Sequence, residues 1–275
     1  IVKDWEKTAV RLALAFPDTY EIGLPNLGLS ILYDQVNRRA DALAERVYCP
    51  WSDMQDLMRD HQIPLFSLEN KVPLKDFDVV GFTLPYESLY TNLLTMLDLS
   101  GIPLRSAQRG EEDPLIIAGG HACFNPEPMA PFLDAFVIGE GEEVIHEILD
   151  LVKEHKQIGA SRSELLRKLD DIPGIYIPSF YEVAYQSTGL IKEIRHAFNP
   201  EKHTVIKRFV KELPEPVTDF LVPNIQTVNE RVSIEIMRGC SRGCRFCQAG
   251  MITRPIRERS ASQVLAALER ATEST

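Results

Sequence analysis

The amino-acid sequence predicts an α/β protein: a doubly wound parallel-sheet domain, a mixed linker region, and a final strand–loop–helix unit. Three observations carry this. Short uninterrupted apolar runs recur through residues 1–155 with helical stretches between them, and unbroken runs belong to strands covered on both faces. Gly or Pro stands where most runs stop, at Pro17, Gly119 and Gly139. A strand-like alternation returns only at 231, after the Pro-punctuated stretch 156–230.

Taken in order, Leu12–Phe16 predicts a buried strand that ends at Pro17-Asp18. Gly23 to Asn26 form a loop, and Leu27–Arg39 has helical spacing through Leu29, Leu32, Tyr33 and Val36. Arg46–Tyr48 is a second strand, and Asp53 caps a helix over Met54–His61. Asp78–Leu84 is a strong strand, followed by a helix over Leu89–Ser100. Leu115–Ala118 and Ala135–Ile138 are further strands, and Gly139 to Gly141 lead into a helix over Glu142–His155. Ligands of such sheets bind at the carboxyl ends of the strands.

Within 156–230, Ser161–Leu169 is a short helix. Gly174–Pro178, Tyr181–Tyr185 and Leu190–Ile194 are short strands, the last two joined by a turn at Ser187-Thr188-Gly189. Pro214, Pro216 and Pro223 mark an irregular connection. Val232–Met237 then alternates with period two as a strand, and a helix begins at Ser260. One strand and one helix cannot bury their own apolar faces, so this last unit is expected to be incomplete.

Length and composition limit the function classes. The 275 residues suggest about two domains, and 44 % apolar with 25 % charged residues is ordinary for a globular chain, not a disordered one. No apolar run approaches the roughly 20 residues that span a bilayer. The start, Ile1-Val2-Lys3-Asp4-Trp5, has neither an initiator Met nor a secretory apolar stretch, so the expected location is the cytoplasm. A formal net charge of −10 argues against bulk nucleic-acid binding. Between Arg231 and Arg259, however, seven Arg face two Glu. That local excess points to an anionic ligand or cofactor, with a solvated Arg-rich surface as the alternative.

Five cysteines, three of them within eight residues, make a poor disulfide framework. Cys240, Cys244 and Cys247 have the spacing C-x-x-x-C-x-x-C. Thiolates are soft ligands suited to zinc or iron–sulfur clusters. Gly239 and Gly243 let the loop turn tightly, and Arg242 and Arg245 favour thiolate over thiol. A structural zinc site or a ferredoxin-type cluster wants a fourth ligand, but no Cys or His follows Cys247 and the nearest upstream His is His203. The spacing therefore favours a cluster with one open iron. A zinc-binding module and an electron-transfer iron–sulfur protein are the alternatives.

The three-Cys string, with Phe246 just before its last Cys, resembles the signature of the radical S-adenosylmethionine (SAM) enzymes. The resemblance implies that Cys240, Cys244 and Cys247 hold three irons of a 4Fe–4S cluster and that SAM chelates the fourth. It implies reductive cleavage of SAM to a 5′-deoxyadenosyl radical, a reductase or flavodoxin as electron donor, and Phe246 beside the adenine. Ordinary packing is the alternative role of Phe246. Residues 231–275 would then open a (β/α) barrel of the radical SAM type. The Gly-Gly-Glu segment expected after the second strand is not in the sequence, so the chain is expected to be an amino-terminal piece that does not catalyse alone.

The first domain, residues 1–155, is similar to the flavodoxin-like, cobalamin-binding-type domain that precedes many radical enzymes. Pro25–Leu29, Gly119–Glu127 and Asp134–Glu142 carry that likeness. The cobalamin fold often has D-x-H-x-x-G, S-x-L and G-G elements; this sequence has Asp18-Thr19-Tyr20-Glu21-Ile22-Gly23, Thr83-Leu84-Pro85 and Gly119-Gly120. The resemblance thus names Asp18, Tyr20, Gly23, Thr83, Gly119 and Gly120 as cofactor-binding candidates. Tyr20 replaces the cobalt-ligating His, and a neutral phenol is a poor metal ligand. Cobalamin either binds without that ligand or has been lost. His121 is expected to be a loop His bonded to backbone, and Glu140, Glu142 and Glu143 are accounted for by a helix dipole. His196 and His203 lack partner spacing. No dinucleotide or phosphate-loop motif is present. A methylthiotransferase would need three Cys in the first domain, which offers Cys49 and Cys123. No residue is assigned a catalytic role, and the substrate, small or macromolecular, is not named by the sequence.

Overall fold

The computed structural model describes residues 3–229 and 231–273; Ile1, Val2, Glu230, Ser274 and Thr275 lie outside it. Its centre is a six-stranded sheet of order β2-β1-β3-β4-β5-β6. The strands are β1 (Val10–Phe16), β2 (Ala42–Tyr48), β3 (Val79–Thr83), β4 (Leu115–Gly119), β5 (Ala135–Val137) and β6 (Ile175–Tyr176). The first five run parallel and β6 is antiparallel to β5. Six of the seven β1 residues are buried, as a strand covered on both faces requires.

Helices α1 (Tyr20–Gly23), α2 (Leu27–Arg38), α3 (Ser52–Asp60), α4 (Tyr90–Leu99), α5 (Val144–Ile158) and α6 (Arg162–Asp170) connect the strands. Asn26 caps α2 by accepting from the Leu29 N–H at 2.9 Å. Leu29, Tyr33 and Val36 then face the core at helical spacing. On the last turn Asn37 docks α2 on β2, exchanging two hydrogen bonds with the Ala44 backbone at 2.9 and 3.1 Å.

β2 begins four residues earlier than Arg46. Glu45 breaks the apolar run in the sequence, yet it is fully buried because Asn70 donates to its carboxylate from both side chain and backbone. Asp53 lies inside the first turn of α3, one residue past its Ser52 start. The boundary expected at 155 falls within α5, and the layered unit continues: α6 opens with a Ser161/Glu164 capping box and β6 closes the sheet. α5 itself starts at Val144, not Glu142, because Glu140 and Glu142 are engaged elsewhere.

Beyond the sheet, β7 (Tyr181–Tyr185) and β8 (Ile191–His196) form a separate hairpin. His196 pins it: Nδ1 accepts from the Asn199 N–H at 2.8 Å and Nε2 faces Asp170 at 3.1 Å, a partner 26 residues upstream. The stretch after it crosses the sheet's carboxyl edge, where Arg208 lies beside Gly139 as a one-residue parallel bridge. The strand expected over Val232–Met237 shortens to β9 (Met237–Arg238), paired antiparallel with β10 (Arg257–Glu258). Residues 232–236 have no ladder partner among the described residues, and alternation alone does not satisfy a strand's N–H and C=O groups. The short α7 (Ala249–Ile252) and α8 (Ala261–Glu273) complete the chain described. No helix among the described residues is long and apolar enough to cross a membrane.

Candidate functional site: a cysteine loop over the carboxyl edge of the sheet

β9 and β10 are the stem of a hairpin that carries the cysteine loop. At its entry Gly239 has φ +95°, and a Cβ there would stand 2.6 Å from the Pro255 carbonyl oxygen. Only glycine allows that approach. On the far side Gly250 is flanked by two sulfurs: a Cβ built on it would lie 3.6 Å from Cys247 Sγ and 4.0 Å from Cys240 Sγ. The Gly250 N–H also donates to Cys247 Sγ at 3.3 Å. Arg254 ties the loop together by donating to the Gly250 and Arg242 carbonyls.

Two of the three cysteines are thus brought together. Cys240 and Cys247 face one cleft of about 610 Å³, whereas Cys244 is exposed and does not line it. Among the described residues no three or more His, Cys, Asp or Glu side chains meet in a metal-holding arrangement. Cys244 remains adjacent to the pair, its carbonyl accepting from the Cys247 N–H at 3.1 Å. Phe246 is 91 % exposed, so core packing does not account for it.

The opposite wall of the cleft is the sheet's carboxyl edge: Leu27 and Gly28 at the start of α2, Gly120, His121 and Phe124 after β4, and Gly139, Glu140 and Glu142 after β5. Two glycines make this edge possible. Gly120 has φ +115° and a Cβ there would sit 2.5 Å from the Leu84 carbonyl oxygen; at Gly139 it would sit 2.0 Å from that of Arg208. The His121 side chain is exposed at the cleft and makes no hydrogen bond to backbone among the described residues, where one was expected.

Three of the seven Arg in residues 231–259 are answered by carboxylates, which the sequence pattern did not reveal. Arg257 grips Glu140 with two hydrogen bonds of 2.6 and 2.7 Å. Arg238 reaches Glu142 at 2.6 Å and Glu235 at 2.9 Å. Arg259 reaches the same Glu235 at 2.8 Å. Burial alone would raise the Glu140 carboxyl, but the hydrogen bonds from Arg257 and the Val210 N–H, with the charge of Arg238, hold it below its ordinary value. Burial opposes the charge of Arg238, and the surrounding carboxylates more than offset it. The dipole account of Glu140 and Glu142 therefore gives way to specific partners. Arg242 and Arg245 stay exposed on the loop.

The six cofactor-binding candidates of the first domain divide into two sets. Thr83, Gly119 and Gly120 line a small apolar hollow of about 150 Å³ between the sheet and helices α2 and α5, with Gly28, Gly81, Gly139 and Gly141. Tyr20 lines a different cavity of about 630 Å³, with Tyr48, Trp51 and Met54. Its hydroxyl accepts from the Asn224 N–H at 3.0 Å, and its ring stands edge-on to Tyr48. Asp18 accepts from the Thr19 N–H at 2.8 Å. Gly23 makes room for the Tyr48 ring, whose carbons would lie 2.5 Å from a Cβ there. Cys49 and Cys123 are buried; burial, with Asp18 nearby, pushes the Cys49 thiol up to about 11, and burial raises Cys123 too.

Three comparisons bear on this arrangement. A curated relative, an uncharacterized protein of Methanocaldococcus jannaschii, is 23 % identical over 268 residues, covering 94 % of this chain and 45 % of the relative. Two structures of the radical S-adenosylmethionine methyltransferase TsrM from Kitasatospora setae share the fold, each at 12 % identity. One, with tryptophan substrate and the SAM analogue aza-SAM bound, gives a TM-score of 0.51 over 94 % of this chain and 44 % of TsrM. The other, with cobalamin and a 4Fe–4S cluster bound, gives 0.53 over 94 % and 46 %. The chain spans less than half the length of each of these proteins. Residues 28–178 match the family model described as radical SAM proteins, N-terminal. With more than half of its length in that match, this chain belongs to the radical SAM protein family.

Proposed function

We propose that this chain is the amino-terminal part of a radical SAM enzyme, with Cys240, Cys244 and Cys247 as the protein ligands of a 4Fe–4S cluster. The observation that carries the reading is the pair of sulfurs flanking Gly250 on a cleft shared with the sheet's carboxyl edge. The donor set fits: three thiolates on one loop suit iron and leave one cluster corner without a protein donor. Two already converge, and Cys244 joins them through a change confined to the exposed loop tip.

When bound, the cluster and SAM supply the reductive cleavage that makes a 5′-deoxyadenosyl radical. The chain's own residues do the rest. Cys240, Cys244 and Cys247 bind metal, the Gly250 N–H orients Cys247, and Phe246 offers an open aromatic face for an adenine. Gly239 and Gly250 keep the loop narrow enough for a ligand to approach its backbone. A reductase or flavodoxin delivers the electron, and residues 231–273 open the family's (β/α) barrel after a flavodoxin-like first domain. The reaction is proposed to take place in the cytoplasm, without bulk nucleic-acid binding.

Cobalamin extends the reading. The hollow at Thr83, Gly119 and Gly120 is apolar and glycine-walled, and at Gly141 a Cβ would meet Leu32 at 3.3 Å. At about 150 Å³ the hollow takes one small planar ring of the cofactor, with the corrin left outside it. The Tyr20 hydroxyl already serves Asn224, so cobalamin is held here without an axial ligand from residues 18–23.

Anaerobic reconstitution with iron and sulfide, followed by SAM addition to the chain joined to the rest of its barrel, tests the reading. The expected result is a 4Fe–4S spectrum that bleaches on reduction and release of 5′-deoxyadenosine. One zinc and no nucleoside would support a binding module, and a cluster that cycles without cleaving SAM would support electron transfer.

A further inference from the structure

We propose that Glu140 is a positioning residue: it fixes the cysteine hairpin at the carboxyl edge of the sheet by closing one carboxylate on both strands of the hairpin stem. The proposal rests on the reading of Cys240, Cys244 and Cys247 as cluster ligands, and adds what sets their place relative to the sheet.

The geometry is specific. Arg257 of β10 binds both Glu140 oxygens, at 2.6 and 2.7 Å. Arg238 of β9, two residues before Cys240, stands 3.4 Å from Oε2. The Val210 N–H donates to that same oxygen at 2.6 Å, and Arg257 also donates to the Val210 carbonyl at 2.6 Å. The Glu140 N–H donates to the Arg208 carbonyl at 3.0 Å, and the Arg208 N–H to Ile138 at 2.8 Å. One side chain therefore joins β5, the crossing segment 208–210 and both stem strands.

A carboxylate has about four acceptor sites, and these donors use nearly all of them. Glu140 is thus not free to act as a base or a metal ligand, although it borders the same cleft as Cys240 and Cys247. Its charge is not spent on the α5 dipole, since that helix starts four residues later. The wider cluster pairs three carboxylates, Glu140, Glu142 and Glu235, with three guanidiniums, Arg238, Arg257 and Arg259. All six side chains are at most 16 % exposed, so loss of one charge leaves another unpaired where water screens it poorly.

The test uses the whole chain without iron. Hydrogen exchange is followed in residues 237–259 and in strands β3 and β4, together with N-ethylmaleimide labelling of each cysteine. In Glu140→Gln the amide cannot accept from Arg257 on both atoms. Exchange in 237–259 should rise about tenfold and labelling of Cys240 and Cys247 should approach that of Cys244, with β3 and β4 unchanged. Arg257→Gln should do the same, and because its site lies outside the sheet it decides the matter if Glu140→Gln fails to fold. The double variant should be no worse than either single one, since the two residues act as a unit. Glu143→Gln, on the same loop but paired with Arg208, should change neither readout. Unchanged exchange and labelling in the single variants, or strictly additive effects in the double one, would overturn the proposal. Iron and sulfide bound by the parent chain are assayed separately. A parent without a cluster sinks the ligand reading and leaves the positioning result standing; a parent with one, beside unresponsive variants, sinks the positioning alone.

Discussion

The layered unit around β1 and the cysteine unit after residue 231 hold their shape by opposite means. In the first, Leu12, Leu14, Phe16, Val80, Phe82, Ile116 and Phe136 are almost wholly buried in one apolar core. In the second, the only buried apolar side chains among the described residues are Ala267 and Ala271. It is held by three carboxylate–guanidinium groups and by glycines that permit backbone contact. The core tolerates chemistry at its edge because its apolar burial does not depend on the residues there. The cysteine unit is fixed by a few directional bonds, so single residues can move it. A rigid scaffold beneath an adjustable loop is a workable division for the cluster site proposed here.

The largest expected effect lies wholly in the second region. Cys244→Ala should abolish cluster assembly, measured as iron and sulfide per chain, while far-ultraviolet circular dichroism stays at the parent value. Retained iron would break the contrast between a self-sufficient core and a chemical loop. Next, Gly120→Ala tests the seam between the two. Its Cβ would meet the Leu84 carbonyl at 2.5 Å and its φ is +115°, so unfolding in urea should show a loss of about 2–3 kcal/mol. A neutral result would mean that this edge is more yielding than its geometry implies.

Acid should separate the regions. Glu140 is held below its ordinary value, so its contribution is complete at neutral pH and is lost only as pH falls through that depressed value, below the range where an ordinary glutamate takes up its proton. Maleimide labelling cannot report there, so hydrogen exchange of 237–259 against β3 is the measurement; simultaneous loss of protection in both would remove the distinction. Asn26→Ala, which deletes the α2 cap, should cost about 1 kcal/mol of core stability and leave the cysteine unit unaffected. The smallest effect is expected at Tyr20→Phe, which removes the hydroxyl bonded to Asn224 and should leave cobalamin affinity near the parent value in an equilibrium titration. A large loss would make Tyr20 a ligand.

These regions also differ in how far the sequence betrays them. The parallel strands were legible from unbroken apolar runs, and α2 from its 3.6-residue spacing and Asn26. β2 was cut short because Glu45 resembles a surface residue until Asn70 is seen against it. A short strand at Gly174–Pro178 is legible, but its antiparallel pairing with β5, which carries the sheet past residue 155, is not. The spacing of the cysteines puts all three on one loop, but it does not show that Cys240 and Cys247 face the cleft while Cys244 stays exposed. Their surroundings were not legible either: Glu140 lies 117 residues before Arg257, and no local pattern announces such a pair. Alternation over Val232–Met237 suggested a strand, but a strand needs a neighbour, and only Met237–Arg238 has one. Glycines at 120 and 139 are visible as turn signals, while the carbonyls they accommodate come from Leu84 and Arg208, far along the chain.

The most direct test of the central claim is Mössbauer spectroscopy of the anaerobically reconstituted chain, with and without SAM. The account predicts about four irons per chain in one 4Fe–4S cluster, one of them with a non-cysteine environment that changes when SAM is added. Four equivalent cysteine-ligated irons indifferent to SAM, or a single tightly held zinc in place of iron, would contradict it.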